Sequence, residues 1–200
     1  KDSFDRVEDA IAVMGGPAAL THLGKEYQEG NGSERSEQKA LEWYQRAAAR
    51  GDTDAMCSLA AVYNDADSGE SAPKKAMEWY RKAADSGSTE AMEQIGFMLL
   101  SGDPSAQNAG DAMSWFLKAA VAGSAKACYQ LGYMYETGTG AEKSRTEAAE
   151  WYLKASELGD IGAWDEVLRM VKEQEETDEG EDNVWSVISK RANQLLSEGK

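Results

Sequence analysis

The sequence predicts an all-α fold, a solenoid of stacked helical hairpins, on three observations. The first is a period: Trp43-Tyr44, Trp79-Tyr80, Trp115-Phe116 and Trp151-Tyr152 stand 36 residues apart without insertion or deletion, as do Ala40, Ala76, Ala112 and Ala148. The second is punctuation. Gly15, Gly51, Gly87, Gly123 and Gly159 keep the same spacing, and Asp52, Ser88, Ser124 and Asp160 follow the last four. The third is apolar residues recurring every three to four positions between the glycines, the stripe of an amphipathic helix. A constant period of this size marks units that cannot bury their apolar face alone and do so by stacking.

Taken in order, residues 3 to 14 place Phe4, Val7, Ile11 and Met14 on one helical face, and Gly15 ends the segment. The chain is therefore expected to open on an orphan second helix, an N-terminal half-repeat over residues 1–16. Four 36-residue repeats follow over 17–159, then a degenerate C-terminal capping hairpin over 160–200, all within one domain. Each junction glycine suits the left-handed residue that closes a helix, and the Asp or Ser after it can accept from the free N–H groups opening the next. Gly16-Pro17 substitutes at the first junction, with Pro just inside the helix start.

First helices are expected at 17–29, 53–65, 89–101, 125–137 and, more loosely, 161–175. Leu20, Leu23 and Tyr27 and their equivalents face inward. Gly24, Ala60, Gly96 and Gly132 share one slot, where glycine costs about 1 kcal/mol against alanine and so implies close packing. Loops of about five to nine residues lead to second helices, with Ser36, Asn108 and Ser144 as N-caps and Pro73 in the first turn of the uncapped copy. Lys172 to Asp182 hold seven carboxylates against one lysine, which reads as an acidic loop. The last helix, Val184 to Leu196, puts Trp185, Ile188, Ala192 and Leu195 on one face to cover the end of the array. Eleven helices and no sheet are expected.

Composition narrows the function. Thirty-six acidic residues against 21 basic give a formal charge of −15, which repels nucleic-acid phosphates and anionic membrane and favours a basic partner. No stretch approaches the ~20 apolar residues of a membrane-spanning helix. Lys1 in place of an initiator Met is compatible with a cleaved leader or a larger parent, so compartment is not read from the sequence. Cys57 and Cys128 fall two repeats apart, about 20 Å if helices stack at roughly 8 to 10 Å, which is too far for a disulfide. Both read as small core fillers.

The run Leu131-Gly-Tyr-Met-Tyr-Glu-Thr-Gly-Thr-Gly140, followed by Ala148-Ala-Glu-Trp-Tyr-Leu-Lys-Ala155 and Gly159, resembles the Sel1-like repeat, a relative of the tetratricopeptide repeat. The resemblance covers about residues 15 to 171. It implies a right-handed α-α superhelix whose first helices line a concave face, used as an adaptor in protein complexes. Two departures are the missing loop glycines of repeats two and three and Ser36, Asn108 and Ser144 in place of the family's aspartate.

No catalytic constellation emerges. His22, the single histidine, falls on a polar face beside Lys25 and Glu26 without Cys or Asp at metal-ligand spacing. Gly138-Thr-Gly140 lacks the strand and the Lys-Ser/Thr of a phosphate loop. The chain is read as a non-enzyme without cofactor or metal. The Trp-Tyr pairs repeat identically and so read as core. A binding site should vary between repeats, and the variable outward stripe of the first helices holds Thr21, Lys25 and Gln28, then Cys57, Ala61 and Asn64. In repeats three and four it turns aromatic. Phe97, Tyr129 and Tyr133, with polar neighbours Glu90, Glu93, Gln94 and Gln130, form the candidate partner-binding set, unless these rings pack between adjacent first helices. The expected function is a scaffold binding a protein or peptide with a basic patch. Alternatives are an immunity or inhibitor protein against a basic toxin and a targeting module of a larger protein.

Overall fold

The computed structural model describes residues 10–11, 13–30, 35–65, 72–102, 106–177 and 183–198. Among the described residues ten helices follow helical residues 10–11 and 13–14: α1 (Pro17–Glu29), α2 (Glu37–Ala48), α3 (Thr53–Asp65), α4 (Ala72–Asp85), α5 (Thr89–Gly102), α6 (Ala106–Val121), α7 (Ala125–Thr137), α8 (Arg145–Glu157), α9 (Ile161–Thr177) and α10 (Asn183–Glu198). No strand occurs among the described residues, and the architecture is an all-α series of hairpins. Most of the expected orphan helix lies outside the described residues. The chain falls into two compact units, Lys1–Ala91 and Met92–Lys200.

In the first unit α1 pairs with α2 and α3 with α4, and α2 also packs on α3. The link between hairpins is built by backbone chemistry. Gly51 takes a φ of 85°, where a side chain would be strained, and the Asp52 N–H donates back to the Ala47 carbonyl at 3.2 Å. The Asp52 carboxylate then accepts from the Ala55 N–H at 2.8 Å, so one residue closes α2 and opens α3. Ser88 repeats both bonds at the end of the unit, to Ala83 and from Ala91. Tyr44 is fully buried against Gly24.

The second unit repeats these devices at Gly123-Ser124 and Gly159-Asp160, whose side chains accept from the N–H groups of Ala127 and Ala163 at 2.9 Å. α8 packs on α7 and on α9. The shared small slot has a plain cause: a Cβ on Gly132 would lie 2.7 Å from the Tyr152 ring, closer than any real contact, so the glycine admits the ring. Trp185, Ile188, Ala192 and Leu195 of α10 are buried, as a capping helix requires.

Four expectations need correction. Asn108 is no N-cap, because α6 begins at Ala106 and carries it inside the helix. Residues 172–177 are helical, since Glu173 on α9 is held by Arg169 at 3.0 Å and by Arg145 at 2.9 Å; residues 178–182 of the expected acidic loop lie outside the described residues. The core reading of the Trp-Tyr pairs holds for Tyr44, Tyr80, Phe116 and Tyr152 and for Trp43, but Trp79, Trp115 and Trp151 are only half-buried. Their open ring faces lie under Lys82, Lys118 and Lys154, one turn further along each helix at 3.9, 3.9 and 4.9 Å. The outward stripe is the fourth correction. Its first member points into the next hairpin.

Candidate protein-interaction surface

Thr21 and Cys57, placed outward by the helical wheel, are each only 5% exposed. The reason is a bracket 31 residues long. The Thr21 hydroxyl donates to the Asp52 carboxylate at 3.0 Å, Cys57 Sγ lies 3.4 Å from Ser88 Oγ, and the Ser124 hydroxyl donates to Glu93 Oε1 at 2.5 Å. In each case a first-helix side chain holds the residue that caps the following first helix. Glu93 is further engaged by Lys126 at 3.7 Å, leaving its side chain 13% exposed. Its carboxylate is therefore a fastener within the second unit.

The aromatic candidates divide. Phe97 packs its ring against Phe116 edge-to-face, with centroids 5.1 Å apart, and Lys126 covers it at 4.9 Å. Tyr129 tilts against Tyr152 at 5.2 Å. Burial raises the Tyr129 hydroxyl above the usual phenol range, and the nearby carboxylates of Glu166, Asp160 and Glu136 add to the shift. Tyr133 is different. It stands 51% exposed on α7, in the register of Phe97 one repeat earlier. Gln94 and Gln130 are half-buried on α5 and α7, while Glu90 belongs to the first unit.

Behind the rings two buried hydroxyls make the same bond. Tyr152 Oη donates to Glu136 at 2.9 Å and Tyr44 Oη to Gln28 at 2.7 Å, each sixteen residues back. Phe116 has no hydroxyl, and Leu100 stands where its partner would be. Burial and the Glu136 hydrogen bond push the Tyr152 phenol strongly up, so it stays protonated. Glu136 is clamped in turn by Arg169 at 2.6 Å, which also holds Glu166 at 2.8 Å.

Sequence reasoning passed over a polar groove in the first unit, about 680 Å³, although four of its lining residues (Lys25, Gln28, Cys57 and Ala61) had been placed on the outward stripe. His22 is exposed, 3.9 Å from Glu26. Among the described residues no three His, Cys, Asp or Glu side chains are placed to hold a metal, and no helix is long and apolar enough to cross a membrane. Cys57 and Cys128 are free and buried, and burial raises both thiols.

Among solved structures, a Sel1 repeat protein from Oxalobacter formigenes is 26% identical with a TM-score of 0.71, over 94% of this chain and 78% of that one. A protective antigen of uropathogenic Escherichia coli is 26% identical with a TM-score of 0.72; this chain, 92% covered, spans 39% of that longer one. An immunity protein from Pseudomonas aeruginosa, 22% identical with a TM-score of 0.53 over 80% of this chain and 59% of its own, shares the fold. No match was found among curated proteins. The Sel1 repeat itself matches residues 17–52, 53–88, 89–124 and 125–160, the four units marked by the glycine junctions. The chain therefore belongs to the Sel1 repeat family, a tetratricopeptide-like architecture of non-catalytic protein-interaction scaffolds.

Proposed function

We propose that this protein is a scaffold holding a protein or extended peptide on the first helices of its second unit, and that the partner carries a basic patch. The observation that carries the reading is Tyr133, a large exposed ring on α7. A tyrosine offers wide contact area with little rotamer entropy to lose, which is why such rings anchor interfaces. Gln130, one turn earlier on α7, and Gln94, its equivalent on α5, would supply adaptable hydrogen-bonding groups; Phe97 and Tyr129, held against Phe116 and Tyr152, would supply a rigid base, and Glu93 ties α5 to the cap of α7.

Charge supports the basic partner. With a formal charge of −15 on the whole chain, association should be steered and salt-sensitive. The test is Tyr133→Ala against a bound partner across a salt series. Faster dissociation with an unchanged salt slope supports the reading, and unaltered binding by the folded variant rejects it.

A further inference from the structure

We infer that the polar groove of the first unit is a second binding site, and that its ligand is a peptide segment carrying an acidic group beside a basic one. This site shares no residue with the Tyr133 patch. The groove encloses about 680 Å³ and draws on α1, Tyr44 of α2, α3, the first turn of α5 and Arg35 just ahead of α2. Pockets for apolar small molecules are lined mainly by hydrophobic and aromatic side chains. Here the lining is charged and hydroxylic, with Ala61 and Cys57 as the apolar minority.

Its floor presents a fixed donor. The buried Tyr44 hydroxyl donates to Gln28 Oε1 at 2.7 Å. With its oxygen committed, Gln28 directs Nε2 elsewhere, and that amide donates to nothing among the described residues. A peptide carbonyl is the acceptor such a donor fits. The corresponding place in the second unit is closed, because Glu136 replaces the amide and Arg169 clamps it at 2.6 Å. The same register thus holds a locked salt bridge in one unit and an unused donor in the other.

The rim supplies charge of both signs from different helices. α1 contributes Lys25, while α3 contributes Asp54 and α5 contributes Glu90, one repeat apart in sequence; Glu29 of α1 and Arg35, which pairs with Glu37 at 3.5 Å, complete the charged lining. Lys25, Asp54 and Glu90 form no ion pair among the described residues. Opposite charges held this way, without neutralising each other, complement a ligand whose own charges run acid to base. A purely basic ligand meets Lys25, and a purely acidic one meets Asp54 and Glu90.

The experiment measures fluorescence anisotropy of labelled octapeptides with two Glu then two Lys, the reverse order, Lys as the only charge, and Glu as the only charge. One of the two mixed peptides is expected to saturate binding about two- to fivefold more tightly than either single-sign peptide, the scale of exposed charge pairs. Lys25→Glu and Glu90→Lys should each weaken that peptide by about fivefold. Both residues are exposed, and circular dichroism confirms the fold of each variant. Tyr133→Ala should leave it unchanged, which separates this site from the patch on the second unit. The inference is overturned if no peptide binds, if the Lys-only peptide binds as tightly as the mixed ones, or if Lys25→Glu has no effect.

Discussion

Replacing Ser124 by alanine removes two interactions at one atom, which makes the bracket measurable. Ser124 Oγ accepts from the Ala127 N–H at 2.9 Å as the N-cap of α7, and its hydroxyl donates to Glu93 Oε1 at 2.5 Å. Loss of a serine cap costs ~1 kcal/mol. A hydrogen bond to a charged group contributes ~1.5 to 3 kcal/mol when buried. Glu93 keeps Lys126 at 3.7 Å and some water, so the lower end applies and the total is about 2.5 kcal/mol. Ser144→Ala is the matched control in the same unit, since the Ser144 hydroxyl caps α8 through the Glu147 N–H at 3.3 Å and makes no second bond among the described residues, for a cost of ~1 kcal/mol. Urea unfolding followed by far-ultraviolet circular dichroism, at constant m, gives both values. The coupling between Ser124→Ala and Glu93→Gln in a double-mutant cycle should be about 1 kcal/mol. Equal costs for Ser124→Ala and Ser144→Ala, with no coupling, would remove the bracket from the account.

Phe116→Ala should cost ~3 to 5 kcal/mol as a fully buried ring, whereas Trp115→Ala, half-exposed beneath Lys118, should cost about 2 kcal/mol or less; similar melting temperatures would contradict the division of each aromatic pair. Burial pushes the Tyr44 phenol up to about 12 from 10.0. Because the folded state holds this proton longer than the unfolded chain, the associated stability is intact below pH 10 and declines between pH 10 and 12. Tyr44→Phe should flatten that decline in stability measured against pH, and an unchanged slope would be the wrong sign for the argument. Cys57 and Cys128 should resist alkylation in the native protein and both react after unfolding without reductant; a bridge found by mass spectrometry would contradict their free, buried state.

Where helix ends are set by local chemistry, the sequence was enough. The bounds of α1, α3 and α7 coincide with those read from the glycine and cap spacing, because a left-handed glycine and the acceptor beside it act within a few residues. Features set across hairpins were not legible in the same way. A helical wheel centred on Leu23 puts Thr21 and Cys57 outside, and only the cap residue arriving 31 positions later turns them inward. The acidic run looked too charged for a helix until Arg169 and Arg145 met Glu173. The candidate surface was half visible. Variation between repeats pointed to Phe97, Tyr129 and Tyr133, but it could not separate a ring with a packing partner, such as Phe97, from one without cover, and it treated Lys25 and Gln28 only as background.

The central claim is that the second unit anchors a basic partner through Tyr133, and peptide selection tests it most directly. Displayed random dodecapeptides should be selected on the wild-type chain, synthesised, and measured by biolayer interferometry against Tyr133→Ala and Ser144→Ala. The account predicts peptides enriched in Lys and Arg whose dissociation from Tyr133→Ala is ~30-fold faster, the ~2 kcal/mol of an anchor residue, with Ser144→Ala unaffected. Selected peptides without basic bias, or with equal residence on Tyr133→Ala, would contradict it.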